Sequence, residues 1–173
     1  MRVTETLHRN GPIIDTAHFT EYHRERGTGV HRACQLWDEG DLDEGSLTPD
    51  IAPRFAQYVA FRHELRPEII ATELEVRHPV LGYEGRLDRV MKINGRLGVV
   101  DIKGPTENPW HALQLAAYSQ AYGSMRGVLR GLARWNLYLH DDRSRLVERT
   151  DRHDFEVFYA AHTVAQWREK NGY

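Results

Sequence analysis

Three residues whose side chains could act together in catalysis lie in two segments of the sequence that are rich in apolar residues. Asp88 lies in the first segment, and Asp101 and Lys103 lie in the second, on either side of Ile102. If both segments form β-strands, Asp101 and Lys103 share one face of the sheet, because side chains alternate along a strand. Between the segments, Asn94-Gly95 supplies the residues that a tight hairpin turn prefers. Pairing of the strands through this turn would bring Asp88 toward Asp101.

Two carboxylates and a lysine at this spacing are suited to phosphate chemistry. Neighbouring carboxylates repel each other, and the usual remedies are a shared proton or a divalent cation. A cation held there would polarise a phosphoryl oxygen and lower the pKa of a water, while Lys103 oriented that water or neutralised the transition state. The alternative is a surface Asp-Lys pair without a function, since an acid-x-Lys triplet is expected roughly once by chance in a chain of this composition.

Other polar residues could complete such a site. Gln114 and Tyr118 are four residues apart, so on a helix they would project together toward the end of the sheet that bears Lys103. The alternative is an amphipathic helix with two polar-tipped core residues. His31 lies beside the apolar face of an early helix and could turn its imidazole into a cleft, although most of the ten histidines must be ordinary surface or core residues. Glu73, on an earlier strand candidate, could supply a further carboxylate or could face solvent.

The composition is that of a globular protein that folds without covalent or metal cross-links. The chain has 173 residues, 40% of them hydrophobic and 28% charged, and we expect residues 1–173 to form a single domain. Cys34 is the only cysteine, which excludes an internal disulfide and a zinc or iron–sulfur site built from four thiolates of one chain. The net charge of -2 predicts no overall attraction to a polyanion, so DNA would have to be held by a local patch and by cations.

Neither a membrane span nor an export signal is predicted. No run approaches the roughly 18 apolar residues that a spanning helix needs. The first residues, Met1-Arg2-Val3-Thr4-Glu5-Thr6, do not resemble a secretory signal. We therefore expect a cytoplasmic protein that has no membrane partner.

The first part of the chain is expected to be mainly helical. After a loose N-terminal segment, Asp15 can cap a short helix that runs to about Arg26, and Gly27-Thr28-Gly29 then breaks the chain. A second helix should follow, and the apolar residues on one of its faces are Val30, Ala33, Cys34 and Trp37. Residues 38–44 are expected to form a loop. A third helix should begin around Thr48-Pro49-Asp50 and end before Pro67.

A sheet and two further helices are predicted in the rest of the chain. The segments expected to form strands are 69–78, 83–93, 97–102, 135–140 and 145–149. A crossover helix should run from Asn108-Pro109 to about Gly123, and a last helix should follow Asp151 with Phe155 and Phe158 inward. This order predicts an α/β fold with a mixed central β-sheet flanked by helices.

The order of these features resembles that of a known family. The motifs, in chain order, are Gly29-x-His31, Glu73, Gly85-x-x-Asp88-Arg89-Val90, Asp101-Ile102-Lys103 and Gln114-x-x-x-Tyr118. Over about residues 27–122 this series resembles the RecB-like branch of the PD-(D/E)XK nuclease superfamily, including its stand-alone phage and CRISPR-associated members. Each motif alone is weak, but their order and spacing together are fairly specific. The resemblance implies a restriction-endonuclease-like core.

The resemblance also implies a metal site and a catalytic lysine. His31, Asp88 and Asp101 would bind Mg²⁺ or Mn²⁺, with the Ile102 carbonyl as a further ligand. Lys103 would be the catalytic lysine, acting together with the two aspartates. Ligation by both nitrogen and oxygen suits Mn²⁺ as well as Mg²⁺.

The remaining motif residues have roles that the resemblance defines less closely. Gln114 and Tyr118 would position the DNA backbone or the active-site loop, and Glu73 matches a recurrent acidic position. The sequence departs from the family pattern at Leu87, where the superfamily's name has proline, and at Gly104, where many relatives have threonine. The cysteines that hold an iron–sulfur cluster in some relatives are absent, so no cluster is expected.

These features together predict a metal-dependent deoxyribonuclease. By the resemblance it would be an exonuclease in recombination, repair or phage DNA processing, acting as a homo-oligomer or with a recombination-protein partner if it does not act alone. Two alternatives are a structure-specific endonuclease with the same residues and a nuclease-derived module that binds DNA or protein without cutting. The intact acids and lysine argue against the second. DNA contacts are also conceivable at four further residues, although packing and solvent exposure are the preferred interpretations: Trp110, Arg126, Arg130 and Arg134.

Overall fold

A computed structural model of the chain describes residues 1–10, 20–128 and 131–173. The elements, in chain order, are α1 (Val3–Asn10), α2 (Glu21–Glu39), the 3₁₀ helix Glu44–Ser46, α3 (Ala52–Leu65), β1 (Glu68–Arg77), β2 (Glu84–Ile93), β3 (Arg96–Lys103), α4 (Trp110–Arg126), β4 (Ala133–Leu139), β5 (Ser144–Glu148) and α5 (His153–Asn171). Within these described ranges, no helix combines the length and apolar character needed to cross a bilayer.

One mixed sheet of five strands forms the centre of the fold. The strand order is β1-β2-β3-β4-β5. Strands β1, β2 and β3 form an antiparallel meander, β3 and β4 are parallel, and β5 is antiparallel to β4. A parallel pair needs a crossover connection, and α4 supplies it. The predicted mixed sheet flanked by helices is confirmed, and each predicted strand overlaps an observed one.

The hairpin between β2 and β3 has the predicted turn. Asn94 and Gly95 both have positive φ, 49° and 80°, as a type I′ turn requires at its two central positions. The flanking pair is Ile93 with Arg96, and the register continues to Arg89 opposite Val100. The turn therefore fixes which residues of β2 lie beside the chemically informative end of β3.

The sheet is covered by helices on both faces. Val99 and Val100, neighbours on β3, are both fully buried but belong to different core clusters, as alternation along a strand requires. Val100 packs with residues of α2 and α3, including Tyr58. Val99 packs with residues of α1, α4 and α5, including Leu115 and Phe158. The site-bearing strand β3 is thus enclosed on both faces over most of its length.

The described part of the N-terminal segment contains a helix, contrary to the expected loose chain. Residues Val3–Asn10 form α1, whose Val3 and Leu7 are completely buried in the cluster with α4 and α5. These two residues are four apart, so one short helical face is enough to bury both. The predicted cap at Asp15 lies outside the described residues.

The predicted break at Gly27-Thr28-Gly29 is wrong, because α2 runs through it without interruption. Each glycine in a helix interior costs roughly 1 kcal/mol relative to alanine, and packing offsets part of this cost. A Cβ atom on Gly29 would lie only 2.4 Å from Ile51 Cδ1. The glycine therefore allows α2 to approach the start of α3.

The predicted loop at residues 38–44 is also partly wrong. The helix α2 continues to Glu39 and ends at Gly40, whose φ of 78° is the left-handed conformation common after helices. Residues Glu44–Ser46 form the 3₁₀ helix. Asp38, expected in a loop, is instead on the inner face of α2, eight residues after the buried Val30. Its carboxylate is only 1% exposed.

Replacing Gly98 by alanine is expected to lower the free energy of unfolding. A Cβ atom there would lie 2.4 Å from Trp135 Cζ3 and 2.5 Å from the backbone oxygen of Ala133. Overpacking of this kind typically costs about 1–3 kcal/mol. Urea denaturation measures the effect. Gly27→Ala is the matched control, because a Cβ there meets nothing within 4 Å and alanine is favoured in a helix; a destabilisation as large as that of Gly98→Ala would contradict the steric argument.

Candidate active site

The ladder between β2 and β3 ends just before the charged residues. Its last pair is Arg89 with Val100. Beyond that pair, the backbone N–H of Ile102 donates to Oδ2 of Asp88 at 2.6 Å, so a side-chain carboxylate takes the place of a strand carbonyl. Asp88 is 8% exposed. The end of the ladder therefore sets an almost buried acid against β3, between Asp101 and Lys103.

Three potential metal ligands meet beside this opening. The nearest ligand atoms of His31 on α2, Glu73 on β1 and Asp88 on β2 all lie within 4.8 Å of one another. Nδ1 of His31 is 3.4 Å from Oδ1 of Asp88. Elements far apart in the sequence thus supply a nitrogen and two carboxylates to one place, a donor set that suits Mn²⁺ or Mg²⁺.

Glu73 lies within this group and does not face bulk solvent. Its side chain is 19% exposed. Its φ is 46°, in the middle of β1, a left-handed conformation that costs a residue other than glycine about 1–2 kcal/mol. Such outliers occur preferentially at functional sites, where the surrounding structure holds them.

Lys103 lies at the centre of a second group of polar side chains. Its Nζ is 3.0 Å from Oδ2 of Asp101 and donates to Oε1 of Gln114 at 2.8 Å. Nε2 of Gln114 in turn donates to the Tyr118 hydroxyl at 3.3 Å. The Trp110 ring centre lies 5.5 Å from Nζ. The expected residues of β3 and α4 are therefore brought together in one hydrogen-bonded chain.

Asp101 belongs to the group around Lys103, and its carboxylate is not a member of the close trio of His31, Glu73 and Asp88. Burial raises the pKa of Asp101 to about 6; the nearby Lys103 opposes this shift and Asp88 adds to it. Burial alone would lower the pKa of His31, but the Asp88 carboxylate outweighs it and the net shift is upward. Burial likewise opposes ionisation of Asp88, yet His31, Lys103 and the Ile102 N–H together lower its pKa.

One oxygen of each acid is held by a protein donor. Oδ2 of Asp101 is held by Lys103, Oδ2 of Asp88 by the Ile102 N–H, and Oε1 of Glu73 by an arginine, Arg89. Within the described ranges, no hydrogen bond reaches Oδ1 of Asp101 or Oε2 of Glu73, and Oδ1 of Asp88 faces the His31 imidazole. Each carboxylate is thus fixed in orientation and keeps one oxygen for a cation, so the residues present fit a divalent metal.

Glu73 is bound to a buried ionic cluster that was not predicted from the sequence. Arg89 is completely buried; its Nε donates to Oδ2 of Asp38 at 2.7 Å and its NH1 to Oε1 of Glu73 at 3.2 Å. Asp38 also accepts a hydrogen bond from the Tyr58 hydroxyl at 2.6 Å and pairs with Arg62. The burial of Asp38 could have been predicted from helical spacing, because Asp38 is four residues after Cys34 and therefore on the same face of α2.

Asn136 is a second residue that the sequence analysis missed. It is fully buried on β4, and its Nδ2 donates to Oδ2 of Asp101 at 2.9 Å. The sequence pattern that could have indicated this residue is a polar amide within the otherwise apolar run Trp135-Asn136-Leu137-Tyr138-Leu139. A polar side chain in a buried strand needs a partner, and here the partner is the site.

The other residues considered for DNA contacts differ in their environment. Trp110 is half-buried, with its ring 4.3 Å from that of His111. Arg134 pairs with Asp154 at 3.1 Å, and Arg126 is exposed. Arg130 lies outside the described residues. The packed tryptophan agrees with the preferred interpretation. A solvated helix face is wrong for Arg134, because this residue lies on β4 and its side chain is only 14% exposed.

Comparisons with known proteins point to one superfamily. The family model of the PD-(D/E)XK nuclease superfamily matches residues 13–171. A solved structure from Eubacterium rectale, named "Putative exonuclease", is 14% identical, with a TM-score of 0.65 over 99% of this chain and 81% of that chain. A second, of the protein SSO0001, is 16% identical with a TM-score of 0.39, covering 95% of this chain and 84% of that chain. The search of curated proteins gives no significant match.

Proposed function

The chain belongs to the PD-(D/E)XK nuclease superfamily, and from this premise we propose that it is a DNA nuclease that depends on Mg²⁺ or Mn²⁺. His31, Asp88 and Asp101 are the proposed ligands, with the Ile102 carbonyl as a further one, and Lys103 is the proposed catalytic lysine. Residues 1–173 are proposed to form one nuclease domain.

One observation carries this proposal. A histidine and two acids from three separate elements have ligand atoms within 4.8 Å of one another, and the pair of Asp101 and Lys103 lies on the adjacent strand, joined to Asp88 through the Ile102 N–H. A surface Asp-Lys pair without function would not be buried beside further ligands. Asp101 is only 2% exposed.

Glu73 is the proposed further ligand, although the resemblance left its role open. Its carboxylate lies in the same trio as His31 and Asp88. Its salt bridge to Arg89 leaves Oε2 without a hydrogen bond from any residue of the described ranges. The strained backbone of Glu73 supports this role, because unfavourable backbone conformations of this kind are found mainly at functional sites.

Lys103 has a donor left for the substrate. An ammonium group has three N–H donors, and the carboxylate of Asp101 and the amide oxygen of Gln114 take two of them. The third can reach a phosphoryl oxygen or the attacking water, and the positive charge is in place before charge develops on the phosphate. Gln114 is itself held by Tyr118. These two residues are therefore proposed to position the lysine as well as the DNA backbone.

The cation would supply a Lewis acid for the phosphoryl oxygen and lower the pKa of the attacking water. The acids of the site are largely buried, which limits their contact with bulk water. The protein donor on one oxygen of each acid fixes the direction of that carboxylate. His31 is half-buried and would supply a nitrogen ligand once the cation displaces the proton that the neighbouring Asp88 favours on its ring.

We further propose an exonuclease of the RecB-like type, working in DNA recombination, repair or phage DNA processing. The order of motifs from His31 to Tyr118 supports this assignment, and a structure of the same fold bears the name "Putative exonuclease". An endonuclease would use the same residues, since the choice of ends or internal bonds depends on loops around a common core.

Linear DNA is expected to be degraded in the presence of Mg²⁺ or Mn²⁺, and covalently closed single-stranded circles are expected to remain intact. The physical reason is that an exonuclease needs a free end, while both substrates offer the same phosphodiester bonds. End-labelled linear strands and closed circles of the same sequence, resolved on denaturing gels over time, measure the difference.

Two controls accompany this digestion. A chelator should stop cleavage of linear DNA, and added Mn²⁺ should restore it. Cutting of closed circles at the rate of linear strands would replace the exonuclease assignment by an endonuclease, whereas no cleavage of either substrate with any divalent cation would overturn the proposed function.

A further inference from the structure

We infer that Asn136 is a positioning residue that holds Asp101 in the direction needed to bind a divalent cation, and that Arg149 holds Asn136 in turn. This inference rests on the proposed function, because it concerns the same cation site. Neither residue belongs to the motifs from which the site was predicted.

The sheet places Asn136 beside Asp101 by register. Strands β3 and β4 are parallel, and Asp101 is directly opposite Asn136 in their ladder. Both side chains are buried, at 2% and 0% exposure. The contact is therefore shielded from water, where a hydrogen bond to a carboxylate is stronger than at a surface.

Arg149 determines which way the Asn136 amide is turned. Nε of Arg149 donates to Oδ1 of Asn136 at 2.9 Å. A guanidinium has donors only, so the amide oxygen must face Arg149. The amide NH₂ must then face the other way, toward Oδ2 of Asp101, where it is 2.9 Å away. The orientation of the amide thus follows from its arginine partner.

Arg149 is itself anchored next to the active-site lysine. Its NH2 donates to Oε1 of Glu107 at 2.7 Å and to the Tyr138 hydroxyl at 2.8 Å. Glu107 lies in the connection between Lys103 and α4. The tyrosine hydroxyl also lies 2.9 Å from Nδ1 of His111, in the first turn of α4. The network therefore ties the end of β5 to the segment that connects the lysine with Gln114.

The consequence for Asp101 is a fixed carboxylate with one oxygen left for a cation. Lys103 and Asn136 both bind Oδ2. Two donors on one oxygen, from different strands, prevent rotation of the carboxylate, so Oδ1 keeps its direction. The lysine alone would allow rotation about the single contact. Residues that orient a metal ligand typically contribute about 10- to 100-fold to metal affinity.

Binding of Mn²⁺, measured by the electron paramagnetic resonance signal of the free ion, tests the inference without any cleavage assay. We expect Asn136→Leu, which has a similar volume but no donor, to weaken Mn²⁺ binding about tenfold or more. Arg149→Met should weaken it less, because the amide stays but loses its orientation. The double variant should bind no more weakly than Asn136→Leu alone, since both act through one contact.

Arg145→Met is the matched control. Arg145 also pairs with Glu107 and lies over the Tyr138 ring, as Arg149 does, but it has no contact with Asn136. Its Mn²⁺ affinity should equal that of the wild type. If Asn136→Leu does not fold, Arg149→Met, with a partly exposed side chain, carries the test. Wild-type affinity in the Asn136 and Arg149 variants would overturn the inference, whereas absence of Mn²⁺ binding by the wild type would overturn the proposed function instead.

Discussion

Replacing Lys103 by methionine is expected to lower the rate of DNA cleavage by at least about 100- to 1000-fold, the usual loss when one preorganised transition-state donor is removed. Methionine keeps the apolar stem beside Trp110 but has neither the charge nor the N–H donors that contact Asp101 and Gln114. Single-turnover digestion of end-labelled linear DNA measures the rate. The assay belongs at alkaline pH, because loss of the lysine raises the already elevated pKa of Asp101 further.

Two further variants separate chemistry from folding. Lys92→Met removes an exposed lysine from β2 and should leave the rate unchanged. Asp101→Asn preserves the shape of the side chain but removes a charge from the proposed cation site, and it should reduce cleavage by orders of magnitude as well. Thermal unfolding shows whether each variant is folded. Cleavage at the wild-type rate in both Lys103→Met and Asp101→Asn would reject the assignment of these residues.

The second large effect is expected from Asp38→Ala, which should lower the free energy of unfolding by about 3–5 kcal/mol. The carboxylate of Asp38 pairs with Arg89 and Arg62 and accepts a hydrogen bond from Tyr58. Its removal leaves the completely buried guanidinium of Arg89 with only the Glu73 carboxylate as an ionic partner. An uncompensated buried charge is costly because the protein interior solvates it poorly. Urea denaturation monitored by circular dichroism measures the loss.

Asp141→Ala is the matched control for that variant. Asp141 also bridges two arginines, Arg26 and Arg54, at 2.7 and 2.9 Å, but its side chain is 57% exposed. Ion pairs in contact with water contribute about 0–1 kcal/mol. A loss for Asp38→Ala no larger than that for Asp141→Ala would show that burial of the ionic cluster has no part in stability.

Much of the fold could be predicted because it depends on local patterns. Alternation of apolar residues marked the strands, and Asn94-Gly95 fixed the register of the hairpin. The helix boundaries of α2 could not be predicted in the same way. The helical preference of Gly27-Thr28-Gly29 is poor, but Gly29 packs closely against Ile51, which directly precedes α3. Tertiary packing of that kind has no signature in the local sequence.

The residues of the candidate site that belong to recognisable motifs could be predicted. The spacing of Asp101 and Lys103 gave their shared face, and helical spacing gave the common direction of Gln114 and Tyr118. The supporting residues were not predicted, because their partners come from distant elements. Asn136 is 35 residues from Asp101, and only the parallel register places them together. A search for sequence motifs cannot identify such supporting residues, because their spacing along the chain follows no local pattern.

The hydrogen bond between Asp88 and the Ile102 N–H has a consequence for mutagenesis of this protein. An alanine at position 88 would orphan a main-chain donor in the interior as well as delete an acid, so lost activity and lost stability would be entangled in one variant. Asparagine retains a carbonyl acceptor at the same reach, while it removes the charge and replaces the oxygen that faces His31 by an amide NH₂. An alanine scan would therefore exaggerate the importance of this aspartate to chemistry, whereas the amide keeps the main-chain donor satisfied and confines the change to the cation-facing side of the residue.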